Sequence, residues 1–130
     1  MMETATHKDS LKHEETTKAI IGAAFEVFNE LGYGFLEKVY QRALQVELIK
    51  QGHLAELEPS MEVRFKNVVV GNYFADLLVD GKVIVELKVA KFYNKQDEAQ
   101  LLNELRASEI EVGLLINFGK EKVEFKRFIY

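Results

Sequence analysis

There is no cysteine in these 130 residues. That absence excludes disulfides and thiolate metal sites, and it suits a reducing cytoplasm. No apolar run approaches the ~18–20 residues needed to span a bilayer, so no membrane partner is expected. The N-terminal stretch MMETATHKDSLKHEE lacks the apolar centre of a secretory signal, and a cytoplasmic location follows as the expectation. Repeats, low-complexity tracts and linkers are also missing, and the length suits one domain with a real core rather than two. Nor is there an excess of positive charge: 17 Lys and Arg face 21 Asp and Glu, a net charge of −4. This counts against a broad basic nucleic-acid surface but leaves room for a local one, because phosphate contacts follow local charge. The three histidines, His7, His13 and His53, fall in the tail, at a helix start and in a loop, and none is placed like a metal ligand.

What is present is ordinary in bulk, with 48% hydrophobic and 29% charged residues, as in a soluble globular domain. Residues 1–10 are polar and read as a flexible tail, with the folded domain over 11–130. A helix is expected from Leu11–Glu14 to Leu31, because Ile20, Ala24, Val27, Phe28 and Leu31 recur at helical spacing. Gly32-Tyr33-Gly34 ends it. A second helix runs from Leu36 to Gln51 with Leu36, Tyr40, Ala43, Leu44 and Leu48 facing inward, and Gly52 closes it. After the turn at Glu58-Pro59-Ser60 one strand is expected, over Glu62–Val69. A third helix is expected over Asn94–Ala107, with Ala99, Leu101, Leu102 and Leu105 inward and Asp97, Gln100 and Glu104 forming a polar edge. Val112–Asn117 is apolar on both faces and suits an interior, parallel strand. Val123–Tyr130 reads as an edge strand carrying Phe125, Phe128 and Ile129, a pairing hazard that makes a homodimer the expected assembly.

The stretch from Tyr73 to Ala90 carries the chemistry. Two strands, Tyr73–Leu78 and Lys82–Val89, flank Asp80-Gly81, and Asp76, Glu86 and Lys88 interrupt their apolar runs. Strand side chains alternate, so Glu86 and Lys88 share a face. A two-residue loop puts Asp76 on the other face. A three-residue loop Val79-Asp80-Gly81, with Gly81 left-handed, sets Leu78 opposite Lys82 and Asp76 opposite Ile84. Asp76 then lies diagonal to Glu86, within about 7–8 Å at the backbone. The second register is preferred, because the first scatters charge over two covered faces. Unpaired charge on a buried sheet costs several kcal/mol, so such groups are either ion-paired or bound to a metal.

Asp76 followed ten residues later by Glu86-Leu87-Lys88 resembles the D…(D/E)-x-K signature of the PD-(D/E)XK nuclease superfamily, whose α-β-β-β-α-β core matches most of this chain. The fold expected is therefore α/β, a mixed sheet flanked by helices in the order α-α-β-β-β-α-β-β. The resemblance is closer to the GxxExxY branch. Its motif here is Gly34-Phe35-Leu36-Glu37-Lys38-Val39-Tyr40, and the segments EAQLLNEL and VGLLINFG look like that branch too. The likeness runs from about residue 15 to the C-terminus.

The resemblance implies that Asp76, Glu86 and the Leu87 carbonyl hold Mg²⁺ or Mn²⁺, a hard cation that takes oxygen ligands and keeps several waters. Lys88 would orient the attacking water, act as its base or stabilise the transition-state charge. Glu37 matches a helical Glu that adds to the acidic cluster, although acidic residues also favour first turns for the helix dipole alone. Gln100 matches a glutamine on the helix after the ExK strand, but Glu104 stands where an aromatic often accompanies it, and Ala75 replaces the proline before Asp76. Lys66, Lys91, Lys95, Lys120, Lys122, Lys126 and Arg127 are candidates for phosphate contacts or plain solvated surface. Three readings remain: a metal-dependent nuclease acting on DNA before RNA, an inactive nuclease-fold module that binds nucleic acid or a protein, and a structural module whose charged trio is merely paired.

Overall fold

Two α-helices open the fold in the computed structural model, which describes residues 12–130; the expected tail, 1–10, lies outside them. Helix α1 spans Glu14–Leu31 and α2 Glu37–Lys50. Five strands follow: β1 (Ala55–Leu57), β2 (Ser60–Phe65), β3 (Val68–Phe74), β4 (Leu77–Val79) and β5 (Val83–Lys88). A 3₁₀ turn over Lys95–Asp97 leads into α3 (Glu98–Ala107), and β6 (Val112–Phe118) and β7 (Val123–Ile129) complete the chain. The expected order of two helices, a run of strands, one helix and two strands holds. Within the run, the stretch expected to hold three strands divides into five.

The main sheet has the order β1-β4-β5-β6-β7. Strands β5 and β6 pair in parallel and the other neighbours are antiparallel. Helix α3 is the crossover between the two parallel strands, which explains why VGLLINF is buried along its whole length: helices cover both faces. On one face Val83, Val85, Leu87, Leu114 and Ile116 pack with Ile20, Ala24, Tyr40, Leu44 and Leu48 of α1 and α2. On the other, Ile84 and Leu115 pack with Leu101 and Leu105 of α3 and with Phe128. Each such side chain contributes about 1.5–3 kcal/mol by leaving water. Exposed ion pairs such as Lys18–Glu14 contribute about 0–1 kcal/mol. The apolar layers therefore hold the fold, and the charged surface decorates it.

The turn between α1 and α2 explains its own sequence. Gly32 and Gly34 both have positive φ, at 71° and 115°, conformations that glycine adopts without strain. Tyr40 reaches back from α2 to close the turn: its hydroxyl donates to the Gly32 carbonyl and accepts the Phe35 N–H, while its ring stacks on Phe118 at 4.4 Å.

Three strand expectations are corrected. The single strand Glu62–Val69 is a hairpin, β2–β3, whose turn residues Lys66 and Asn67 are both left-handed with no glycine to announce them. Tyr73–Leu78 is not one strand: β3 pairs with β2 in a separate two-stranded sheet, and the chain bends at Ala75-Asp76 before β4 joins the main sheet. The β4–β5 register pairs Val79 with Val83 and Leu78 with Ile84, so the loop is Asp80-Gly81-Lys82 rather than Val79-Asp80-Gly81. Asp80 shares the left-handed conformation with Gly81 because its carboxylate is tied down, accepting the Leu54 N–H at 2.9 Å and lying 2.7 Å from His53 Nδ1. The displacement is two residues, so the faces are those expected. Continued along the strand, the register brings Asp76 opposite Glu86 rather than diagonal to it.

Gly113 sets how closely α3 approaches β6, since a Cβ there would lie 2.8 Å from Leu101 Cδ1. Gly113→Val forces the buried Leu101 aside and is expected to destabilise the fold by about 1–3 kcal/mol, the usual range for overpacking; denaturant unfolding measures it.

Candidate active site

The bend at Ala75-Asp76 is built by its backbone partners. Ala75 N–H donates to the Pro59 carbonyl at 3.3 Å, and the Asp76 carbonyl accepts Glu58 N–H at 3.1 Å and the Gln41 side-chain amide at 2.9 Å. Gln41, buried on α2, thereby fixes Asp76 from the helical side. With its main chain held, the Asp76 carboxylate reaches β5 and accepts the Leu87 N–H through Oδ2 at 2.7 Å. The Leu87 side chain points into the α1–α2 core, while its main chain lies against Asp76.

Strand alternation sends Glu86 to the opposite face, under α3. It is 2% exposed, next to Glu104, which is 0% exposed. The polar edge expected of Glu104 is not solvent-facing: α3 packs on the sheet through Leu101 and Leu105, position 104 flanks Leu101 one turn on, and the close approach of the helix buries its carboxylate. Glu104 and Asp76 both act on the Glu86 carboxyl group. Burial raises its pKa first, and hydrogen bonding and repulsion with Glu104, then Asp76, raise it further; the group holds its proton at neutral pH. Gln100 donates from Nε2 to Glu86 Oε1 and to Glu104 Oε2, both at 3.4 Å. Glu86 Oε2 and Glu104 Oε1 are buried with no hydrogen-bond partner.

Glu37 opens α2 and comes to the same place from the side. Half-burial raises its pKa, repulsion from Asp76 adds to this, and the nearby Lys88 ammonium opposes it. Lys88, at the end of β5, shares the face of Glu86 and is half-buried. The structure thus gathers Asp76, Glu86 and Gln100 with the Leu87 main chain, and sets Glu37 within electrostatic reach of both Asp76 and Lys88. Neither described histidine joins them: His53 is engaged with Asp80 and His13 precedes α1, while His7 lies outside the described residues. Two participants were missed from the sequence. Gln41 was hidden beside Tyr40, although a polar residue on the inner stripe of α2 was its signal. Asn117, the last but one residue of β6, pairs with Lys88 and clamps Ala90 with two hydrogen bonds, to its carbonyl at 2.9 Å and from its N–H at 3.0 Å.

Among the described residues no group of three or more histidine, cysteine, aspartate or glutamate side chains forms a ready cage for a metal ion. The donor set nonetheless suits one. Carboxyl groups crowded out of water, two of their oxygens orphaned, are satisfied by a proton or by a hard cation, and a cation that keeps several waters needs no complete cage.

A family model described as the PD-(D/E)XK nuclease superfamily matches residues 14–128. No match was found among curated proteins. Among solved structures, the crystal structure of SSO0001 superposes with a TM-score of 0.53 at 17% identity, over 90% of this chain. The chain spans 58% of the length of that protein, and at this identity the likeness speaks for the fold alone. With the family model covering nearly the whole domain and its acidic pair meeting at one point of the sheet, this chain belongs to the PD-(D/E)XK nuclease superfamily.

Proposed function

We propose that this protein is a divalent-metal-dependent nuclease of the GxxExxY branch, hydrolysing phosphodiester bonds in DNA before RNA. The observation that carries the reading is the Glu86 carboxyl group, buried on β5 with Asp76 and Glu104 acting on it and its Oε2 left unsatisfied, an arrangement that burial penalises unless a proton or a cation enters. Asp76, Glu86 and the Leu87 carbonyl would hold Mg²⁺ or Mn²⁺, which when bound neutralises phosphate charge and lowers the pKa of water. The Asp76 carboxylate is aimed by the Leu87 N–H and by the Gln41 anchor on its own carbonyl. Gln100 orients Glu86 Oε1. Lys88 presents an ammonium to the phosphate or the attacking water, and Glu37, its pKa raised, is suited to accept a proton from that water.

A second reading rests on Glu104. Its carboxylate occupies the space under Glu86 and competes for the proton or cation there. That favours a nuclease-fold module that binds nucleic acid or a protein partner without cutting. The two readings separate on metal. For the nuclease, Mg²⁺ or Mn²⁺ at 100 times its dissociation constant stabilises the native state by about 2.7 kcal/mol. Asp76→Ala abolishes both this gain and cleavage. Lys88→Ala abolishes cleavage and keeps the gain. Thermal unfolding with and without metal, beside a cleavage assay on single- and double-stranded DNA and RNA, decides between them; metal-independent unfolding with no cleavage of any substrate sinks the nuclease.

The raised pKa of Glu86 makes a further prediction with a definite sign. In the metal-free protein the unfolded chain ionises Glu86 above about pH 4.5 while the folded chain keeps its proton. The stability this group contributes is therefore complete below the unfolded pKa and is lost as pH rises towards the folded value of about 11. Glu86→Gln should remove that loss, raising the metal-free melting temperature at pH 8 by at least about 4 °C, a shift of about 1 kcal/mol, while abolishing cleavage. A lower melting temperature would show that Glu86 is ionised and paired instead.

A homodimer belongs to this proposal. Strand β7 is the sheet edge, with Phe125 exposed along it, and cutting two strands needs two sites. Sedimentation at about 10–50 µM, the range of moderate self-affinity, should show a dimer; monomer alone counts against it.

A further inference from the structure

The fold sorts the basic residues that the sequence offered for phosphate contacts, leaving Lys95 apart on the 3₁₀ turn. Lys126 is engaged with Glu98 at 3.4 Å, and Arg127 donates to the Lys12 carbonyl. Lys66 sits on the distant β2–β3 turn, over the Phe65 ring. Lys91, Lys120 and Lys122 instead surround one cavity of about 270 Å³ together with Phe92. Among the described residues none of these three lysines enters an ion pair, in a chain whose net charge is negative.

This patch is built rather than incidental. The β6–β7 turn and the segment after β5 are stitched together: Gly119 N–H donates to the Lys122 carbonyl at 3.0 Å and Lys120 N–H to the Lys91 carbonyl at 3.4 Å. A Cβ on Gly119 would stand 2.7 Å from the Lys122 carbonyl oxygen and 3.2 Å from that of Lys91, so the segments are pressed as close as glycine allows. Asn117 holds Ala90 on one side of Phe92, and Tyr93 is held on the other, its N–H on Glu124 Oε1 at 2.9 Å and its hydroxyl on Glu98 Oε2 at 2.8 Å. Phe92 is thus 77% exposed on an anchored segment. Of the two glutamates lining the cavity, Glu124 is turned to Tyr93 and Asn117, and Glu121 remains on the rim.

We propose that this platform binds single-stranded nucleic acid, one unpaired base stacking on Phe92 while Lys91, Lys120 and Lys122 contact the flanking phosphates. A ring standing clear of the surface stacks on a base that lacks a neighbour, whereas duplex bases already have theirs. The platform lies at the end of the sheet where Lys88 pairs in register with Asn117, so a strand passing over it continues towards the candidate active site. The inference rests on the nuclease reading of that site and narrows its substrate to strands with an unpaired segment.

Fluorescence anisotropy without metal tests it, using the full chain, a labelled single strand of about 16 nucleotides and the matching duplex. Phe92→Ala should weaken single-strand binding about 5- to 100-fold and leave duplex binding unchanged. The triple variant Lys91→Ala, Lys120→Ala, Lys122→Ala should lower the slope of log affinity against log salt by about 2, while Lys18→Ala on α1 changes nothing. The platform is overturned if the wild type does not bind the single strand, or if either variant binds it like the wild type. Cleavage by a wild type whose binding ignores both variants removes the platform and keeps the nuclease. Platform-dependent binding with no cleavage under any metal does the reverse.

Discussion

Glu86 is placed where an ionised carboxylate is hardest to keep: on an interior strand, under a helix, between two more carboxyl groups. Desolvation of one such group outweighs the gain from a typical hydrogen bond, about 1 kcal/mol, and Gln100 at 3.4 Å supplies only weak compensation. The surroundings look arranged around this cost. Parallel pairing with β6 rigidifies the strand, Gly113 lets α3 close down over it, and the bend before β4 brings Asp76 across to meet it. A fold selected for stability alone would place a leucine at position 86, where volume and burial both suit one.

Much of this was legible in the chain. Period-two alternation put Glu86 and Lys88 on one face, and the preference for keeping charge together selected the face of Asp76 correctly. The register itself slipped by two, because Asp80 takes a left-handed conformation through contacts with His53 and Leu54 that are remote in sequence. The doubly apolar VGLLINF announced an interior parallel strand, and β6 is one. The β2–β3 turn left almost no trace, since Lys66 carries no turn signal and Asn67 only a modest one. Glu104 was misread for a different reason. Spacing put it on a polar edge beside the inward leucines, and its carboxylate is buried there because α3 sits close on the sheet at Gly113, a tertiary contact that the helix's own sequence does not carry.

The superfamily relation and the residue geometry carry separate kinds of weight. The family model shows the superfamily over residues 14–128, and the order of elements agrees with it. The burial of Glu104 and the gathering of lysines around Phe92 are read from this chain's own packing. Fold alone does not set activity, so the competition between Glu104 and Gln100 for Glu86 is the point at which this member departs from a generic scaffold.

The hydrogen bond from Gln41 to the Asp76 carbonyl has a mechanical side. Helix α2 supplies Glu37 from its first residue and steadies Asp76 from a residue one turn later, whereas Glu86 and Lys88 belong to the sheet. The candidate centre therefore straddles a seam, one half riding on the helical pair and the other fixed in the strands. Asp76 spans that seam, its carbonyl tied to α2 through Gln41 and its carboxylate to β5 through the Leu87 N–H, so any displacement of α2 against the sheet has to stretch one of these bonds. Tyr40, bonded to Gly32 and stacked on Phe118 of β6, joins the helical pair to the sheet a second time, so the two halves of the centre are held in one frame.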